Sequence, residues 1–138
     1  MRRIAFSSAL CAAGGVCVLA GLAIGQQQKI PPTESKGFRT EVLATLDLAN
    51  EIQEMAGRQL RIRRITIEPG GQFALHDHRD RPGLFYIQEG TITEYPEGAE
   101  AGEHHAGQAV AVGARDRHWE ENRGTGPVVV IAVDIVKK

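Results

Sequence analysis

From Phe38 onward the chain is a succession of short β-prone runs cut by Gly, Pro and Asp, and no dozen residues carry helical periodicity. Strands are expected near 39–46, 59–68, 73–78, 84–89, 91–95, 108–112 and 127–136. A short helical turn is expected within residues 46–57, with Asp47 or Asn50 as its cap. Many short strands with turn signals between them predict an all-β antiparallel sandwich or small barrel. Hydrophobic residues make up 42% of the 138, enough for a core, and this excludes wholesale disorder. A net charge of −1 and 5% aromatic residues give neither a basic field nor a stacking platform, so nucleic acid is excluded as a partner.

The first 25 residues have a different character. Arg2 and Arg3 precede a run from Ile4 to Gly25 without charge, which ends in Ala23-Ile24-Gly25. Basic start, apolar centre and small residues at the exit are the layout of a secretory signal peptide. Cleavage is the expectation, with an uncleaved membrane anchor as the alternative, because the run is just long enough to span a bilayer. The expected location is therefore exported, periplasmic or secreted, with no membrane partner after cleavage. Cys11 and Cys17 leave with the signal, which excludes disulfide staples and thiol catalysis in the remainder. Residues 26–37, polar and Pro-containing, read as a flexible arm, and residues 38–138 as the folded domain.

Two details of the strand pattern carry expectations of their own. Asp134 interrupts an almost continuous apolar run and shares its face with Val128, Val130, Ala132 and Val136. A local hydrogen-bond partner near the strand end is expected for it. In the run 59–68 the apolar parity changes between Leu60/Ile62 and Ile65/Ile67, which predicts a bulge near Arg63-Arg64 and places these arginines on a solvated face.

The histidines carry the chemistry. His76 and His78 are two apart in an expected strand, so both imidazoles project from one face, half of a chelate for a transition metal. Gly70 stands six residues before His76, and Gly90 closes the next strand. Gly107 stands eleven residues before His118, and Asn122 follows it by four. At these positions the chain resembles the cupin superfamily, whose first motif is matched by Gly70, His76, His78 and Gly90, and whose second is matched by Gly107, His118 and Asn122. The resemblance spans roughly residues 58–136. It implies a jelly-roll barrel with His76, His78 and His118 as metal ligands, and Phe85 and Ile87 lining the pocket.

The departures matter too. Gly83 stands where the motif has its metal-binding Glu, and Gly113 and Arg115 replace a Pro and a Gly. Three neutral imidazoles leave a divalent ion its full charge and favour Fe, Zn, Ni or Cu over Mn. Asp80 is the nearest substitute carboxylate; Asp77 has the wrong parity and Glu89 borders a turn. His104 and His105 are expected in a solvated loop, Arg81 at the surface or the pocket mouth, Trp119 pointing away from the pocket, and Tyr86 and Tyr95 in packing roles or, as the alternative, as hydrogen-bond donors. By resemblance, three-histidine cupin sites imply oxygenase chemistry on a small organic acid or enol, or metal-assisted isomerisation. The alternative is a non-catalytic module binding a small molecule or the metal. No catalytic acid or base stands out. A homodimer through residues 38–46 is a further expectation drawn from the same resemblance.

Overall fold

The computed structural model describes residues 29–138. The expected signal peptide, 1–25, lies outside the described residues. Eight strands follow one another: β1 (Lys36–Asp47), β2 (Arg58–Asp77), β3 (Gly83–Glu89), β4 (Thr91–Pro96), β5 (Gly102–His105), β6 (Ala109–Val112), β7 (Arg117–Glu121) and β8 (Val128–Lys137). They form one antiparallel sheet in the order β5-β4-β7-β2-β8-β3-β6, with β1 also paired to β2. Ile92 of β4 and Val110 of β6 lie far apart in that order yet line one cavity, so the sheet curls around its inner face. This is the all-β jelly-roll barrel expected from the sequence.

The core forms on the concave side. Ile65 and Ile67 of β2, Ile87 of β3, Ile92 of β4, and Val128, Val130 and Ala132 of β8 make one buried cluster. Burying each large aliphatic side chain contributes about 1.5–3 kcal/mol. The convex side is less covered. Alternate β8 residues are only half-buried, and Leu84 and Tyr86 of β3 stay exposed.

Several elements differ from the sequence expectation. Residues 59–68 and 73–78 belong to one 20-residue strand, β2, rather than to two strands with a turn between them. The Pro69-Gly70-Gly71 segment bends that strand without ending it. Gly70 takes φ +72°, a region that favours glycine, and its N–H donates to the Asn122 carbonyl at 3.0 Å. The bend hands β2 from its partners β1 and β8 to β7. The parity change is not a bulge in β2, whose pairing with β8 is unbroken from Arg58 to Ile67. The register shift lies in β1, between Val42 and Ala44. The inward set is Arg61, Arg63, Ile65 and Ile67, so Arg63 is buried at 6% exposure rather than solvated. Its charge and that of Arg61 are met by Asp134, directly across the ladder from Arg61.

Residues 48–50 and 53–55 form two 3-10 turns, the first capped by Asp47, whose carboxylate accepts from the Ala49 N–H at 3.0 Å. The described part of the expected arm runs along β2. The Leu75 N–H donates to the Pro32 carbonyl at 3.2 Å, and the Ala74 N–H to the Ser35 hydroxyl at 2.9 Å. Two strands were absent from the expectation, β5 and β7. Among the described residues, no helix is long and apolar enough to cross a membrane.

Candidate metal centre

His76 near the end of β2 and His78 just beyond it project inward, and His118 of β7 is the cross-strand partner of His76. The bend in β2 is what brings these two strands side by side. The three imidazoles converge: His76 Nε2 lies 3.1 Å from His78 Nε2, which lies 2.9 Å from His118 Nε2. Each ring is oriented by its other nitrogen. His76 Nδ1 donates to the Ala74 carbonyl at 2.9 Å and His78 Nδ1 to the Arg81 carbonyl at 3.3 Å. His118 Nδ1 bonds the Glu94 carboxylate.

Carbonyl oxygens only accept, so the ring protons of His76 and His78 belong on Nδ1 and their Nε2 atoms carry lone pairs. Lone pairs that face one another at about 3 Å repel unless a proton or a cation sits among them. Ligand nitrogens about 2.1 Å from a metal and at right angles to each other stand about 3.0 Å apart. The two observed spacings match that value, so the donor set fits a transition-metal ion.

The electrostatics agree. Burial lowers His76 to a pKa of about 3, and burial with the Arg81 charge lowers His78 to about 4, which keeps both neutral, the ligating form. His118 goes the other way. Burial disfavours its charge, but the Glu94 hydrogen bond and the Glu120 and Glu94 charges outweigh it and raise the pKa. The two carboxylates thus favour positive charge at His118.

Glu94 and Glu120 are the residues that sequence reasoning missed. Glu94 bridges outward, accepting from His118 and, at 2.6 Å, from His104 Nε2. Burial opposes its charge, yet these two hydrogen bonds hold its pKa below the usual value. His104 is therefore not in a solvated loop; it sits half-buried on β5 and lines the cavity, while His105 is exposed and bonds Thr91. Glu120 follows His118 by two residues on the same inward face. Burial raises its pKa to about 7, against the pull of His118 and with a push from Glu94. Parity along β7 would have pointed to Glu120, had that strand been recognised.

The remaining candidates fall as follows. Phe85 and Ile87 line the cavity with His76 and His118. Arg81 also lines it, correcting the surface expectation, and its guanidinium is held by the Asp77 carbonyl at 3.4 Å. Asp80 is no substitute ligand: it is exposed and paired with Lys137 at 2.9 Å. Trp119 points away from the cavity but is buried, stacked on Tyr95 with ring centroids 3.9 Å apart. Gly90 and Gly107 take φ of 79° and 91° in the turns after β3 and β5. Asn122 is buried and ties strands together, donating to the Ile67 and Gly126 carbonyls.

A curled antiparallel barrel with three converging histidines that could hold a metal ion defines a class of small jelly rolls. The family profile for the cupin domain matches residues 63–134, and the chain belongs to the cupin family. No curated protein matches the chain. Among solved structures, the polyketide cyclase RemF from Streptomyces resistomycificus is similar, with 16% identity and a TM-score of 0.60 over 75% of this chain and 68% of that one. KdgF from Halomonas sp. has 14% identity and a TM-score of 0.57, over 79% and 90%. A cupin 2 conserved barrel domain protein from Salinispora arenicola has 19% identity and a TM-score of 0.54, over 77% and 87%. Likeness at this level establishes the fold.

Proposed function

We propose that this protein is an exported, metal-dependent enzyme that acts on a small organic acid or enol, with oxygenation as the reaction. The observation that carries this reading is one cavity lined by His76 and His118 of the histidine trio, by two arginines and by an apolar wall. Arg81 and Arg63 line it alongside Phe85, Ile87 and Val130. Arg63 Nε is buried without a hydrogen-bond partner, so it has a donor to offer. A small anion entering here would meet cationic donors at one side and the histidines at the other.

His76, His78 and His118 would hold the ion, which is Fe, Zn, Ni or Cu on the preference of imidazole. A bound redox metal such as ferrous iron would supply dioxygen activation and Lewis acidity. The chain's own part is to orient the acid through Arg81 and Arg63 and to exclude water with Phe85 and Ile87. Glu94 fixes the His118 ring. Export is supported by the basic, apolar and small-residue layout of residues 1–25.

The test is oxygen uptake by the full chain, loaded anaerobically with ferrous iron and offered small carboxylic acids and diketones. Substrate-dependent uptake that disappears in His118→Ala is expected, and Arg81→Met should raise KM about ten-fold through a lost charged hydrogen bond. Iron-loaded protein that binds these acids without turnover would contradict the enzyme and leave a non-catalytic binding module.

A further inference from the structure

Of the imidazoles that line the cavity, His104 is the one that the candidate metal centre does not use. His104 of β5 pairs with Ile92 of β4 and shares its inward face, beside Glu94. Its side chain is 26% exposed, so solvent or a ligand can reach it. His104 Nε2 lies 2.6 Å from the Glu94 carboxylate, which accepts, so in the neutral ring the proton sits on Nε2 and the lone pair on Nδ1. Among the described residues, no protein group bonds that Nδ1.

The other candidate bases are engaged. His76, His78 and His118 turn their Nε2 atoms toward one another, and Glu94 has both oxygens bonded to histidines. Glu120 is shut in beside His118 and His76, and His105 is exposed and bonded to Thr91. A histidine with one nitrogen held by a carboxylate and the other open is built for taking a proton. The carboxylate fixes the tautomer and stabilises the imidazolium that forms. Arg63, Arg81 and Glu120 are the other charged groups of the cavity, and its β3 and β6 walls are apolar.

Resting on the reading that the cavity takes a small acid or enol, we infer that His104 is the general base of the site and Glu94 its positioning residue. The step is removal of the substrate's acidic proton. The O–H bond of an enol breaks, its electron pair stays on oxygen as an enolate, and the proton passes to His104 Nδ1. The imidazolium is met by Glu94 and the enolate by the Arg81 guanidinium. Because Glu94 bonds both His104 and His118, one carboxylate fixes the base relative to the histidine trio.

The test mixes the Zn2+-loaded full chain with acetylacetone, a stable enol-forming diketone, and follows enolate absorbance by stopped flow. Zn2+ is redox-inert, so proton removal is read without turnover. Wild type is expected to form bound enolate about 100–10,000-fold faster than His104→Gln. The Gln side chain can still donate to Glu94, so this variant is expected to keep its Zn2+, and a merely structural role would leave its rate at the wild-type value. His104→Ala is expected to be slow and to recover when free imidazole is added. Equal rates in wild type and His104→Gln, or a His104→Ala variant that imidazole does not rescue, would overturn His104 as the base and leave the enol reading standing. Zn2+-loaded wild type that binds no acetylacetone would overturn the enol reading, and the base with it.

Discussion

Two carboxylates lie buried within the same barrel and meet opposite fates. Asp134, 2% exposed, receives two hydrogen bonds from Arg61, at 3.0 and 2.9 Å, and one from Arg63 at 2.7 Å. Glu120, 7% exposed, has no hydrogen-bond partner for Oε2. Burial is similar, so the difference lies in what faces each group. The Asp134 carboxylate is a closed case, since the chain's own arginines fill both of its oxygens. The Glu120 region is an open one, where three imidazoles and a carboxylate present lone pairs and no fixed cation. Structural and ligand-binding polar groups can look alike in burial and still be told apart by whether their hydrogen bonds are filled.

The sharpest way to break this comparison is to remove each carboxylate's charge in turn. Asp134→Asn strands two arginines, one of them buried, and should cost metal-free protein about 3–5 kcal/mol in urea unfolding. Equal losses for Asp134→Asn and Glu120→Gln would erase the distinction between the two regions.

A smaller effect is expected at Glu94, which lies between the two cases because it is satisfied by histidines rather than by arginines. Glu94→Gln keeps an acceptor near His118 but loses the charge that orients and polarises the ring. Metal affinity should fall about 10–100-fold with little change in metal-free stability, measured by chelator competition. An unchanged affinity would show that His118 needs no such support.

Much of the fold and part of the centre can be read from residues alone. His76, His78 and His118 stand out because imidazoles two apart in a strand share a face and glycines frame them. The strand β7 is hidden, since its inward residues, His118 and Glu120, are polar and its outward ones include Arg117 and Glu121. An alternation between apolar and polar residues never appears. The same polarity hides Glu120 as a residue of the cavity. Arg63 looks solvated because arginine usually is, and only pairing across the ladder reveals that Asp134 draws it inward. The continuity of β2 is hidden by Pro69-Gly70-Gly71, which usually ends a strand but here only bends it.

The metal content of the full chain and of His118→Ala, by elemental analysis after purification, tests the histidine centre most directly. About one transition-metal ion per chain in wild type, and essentially none in the folded variant, is the predicted result. Folded wild type that carries no metal, and takes up neither iron, zinc, nickel nor copper when offered them, would contradict it.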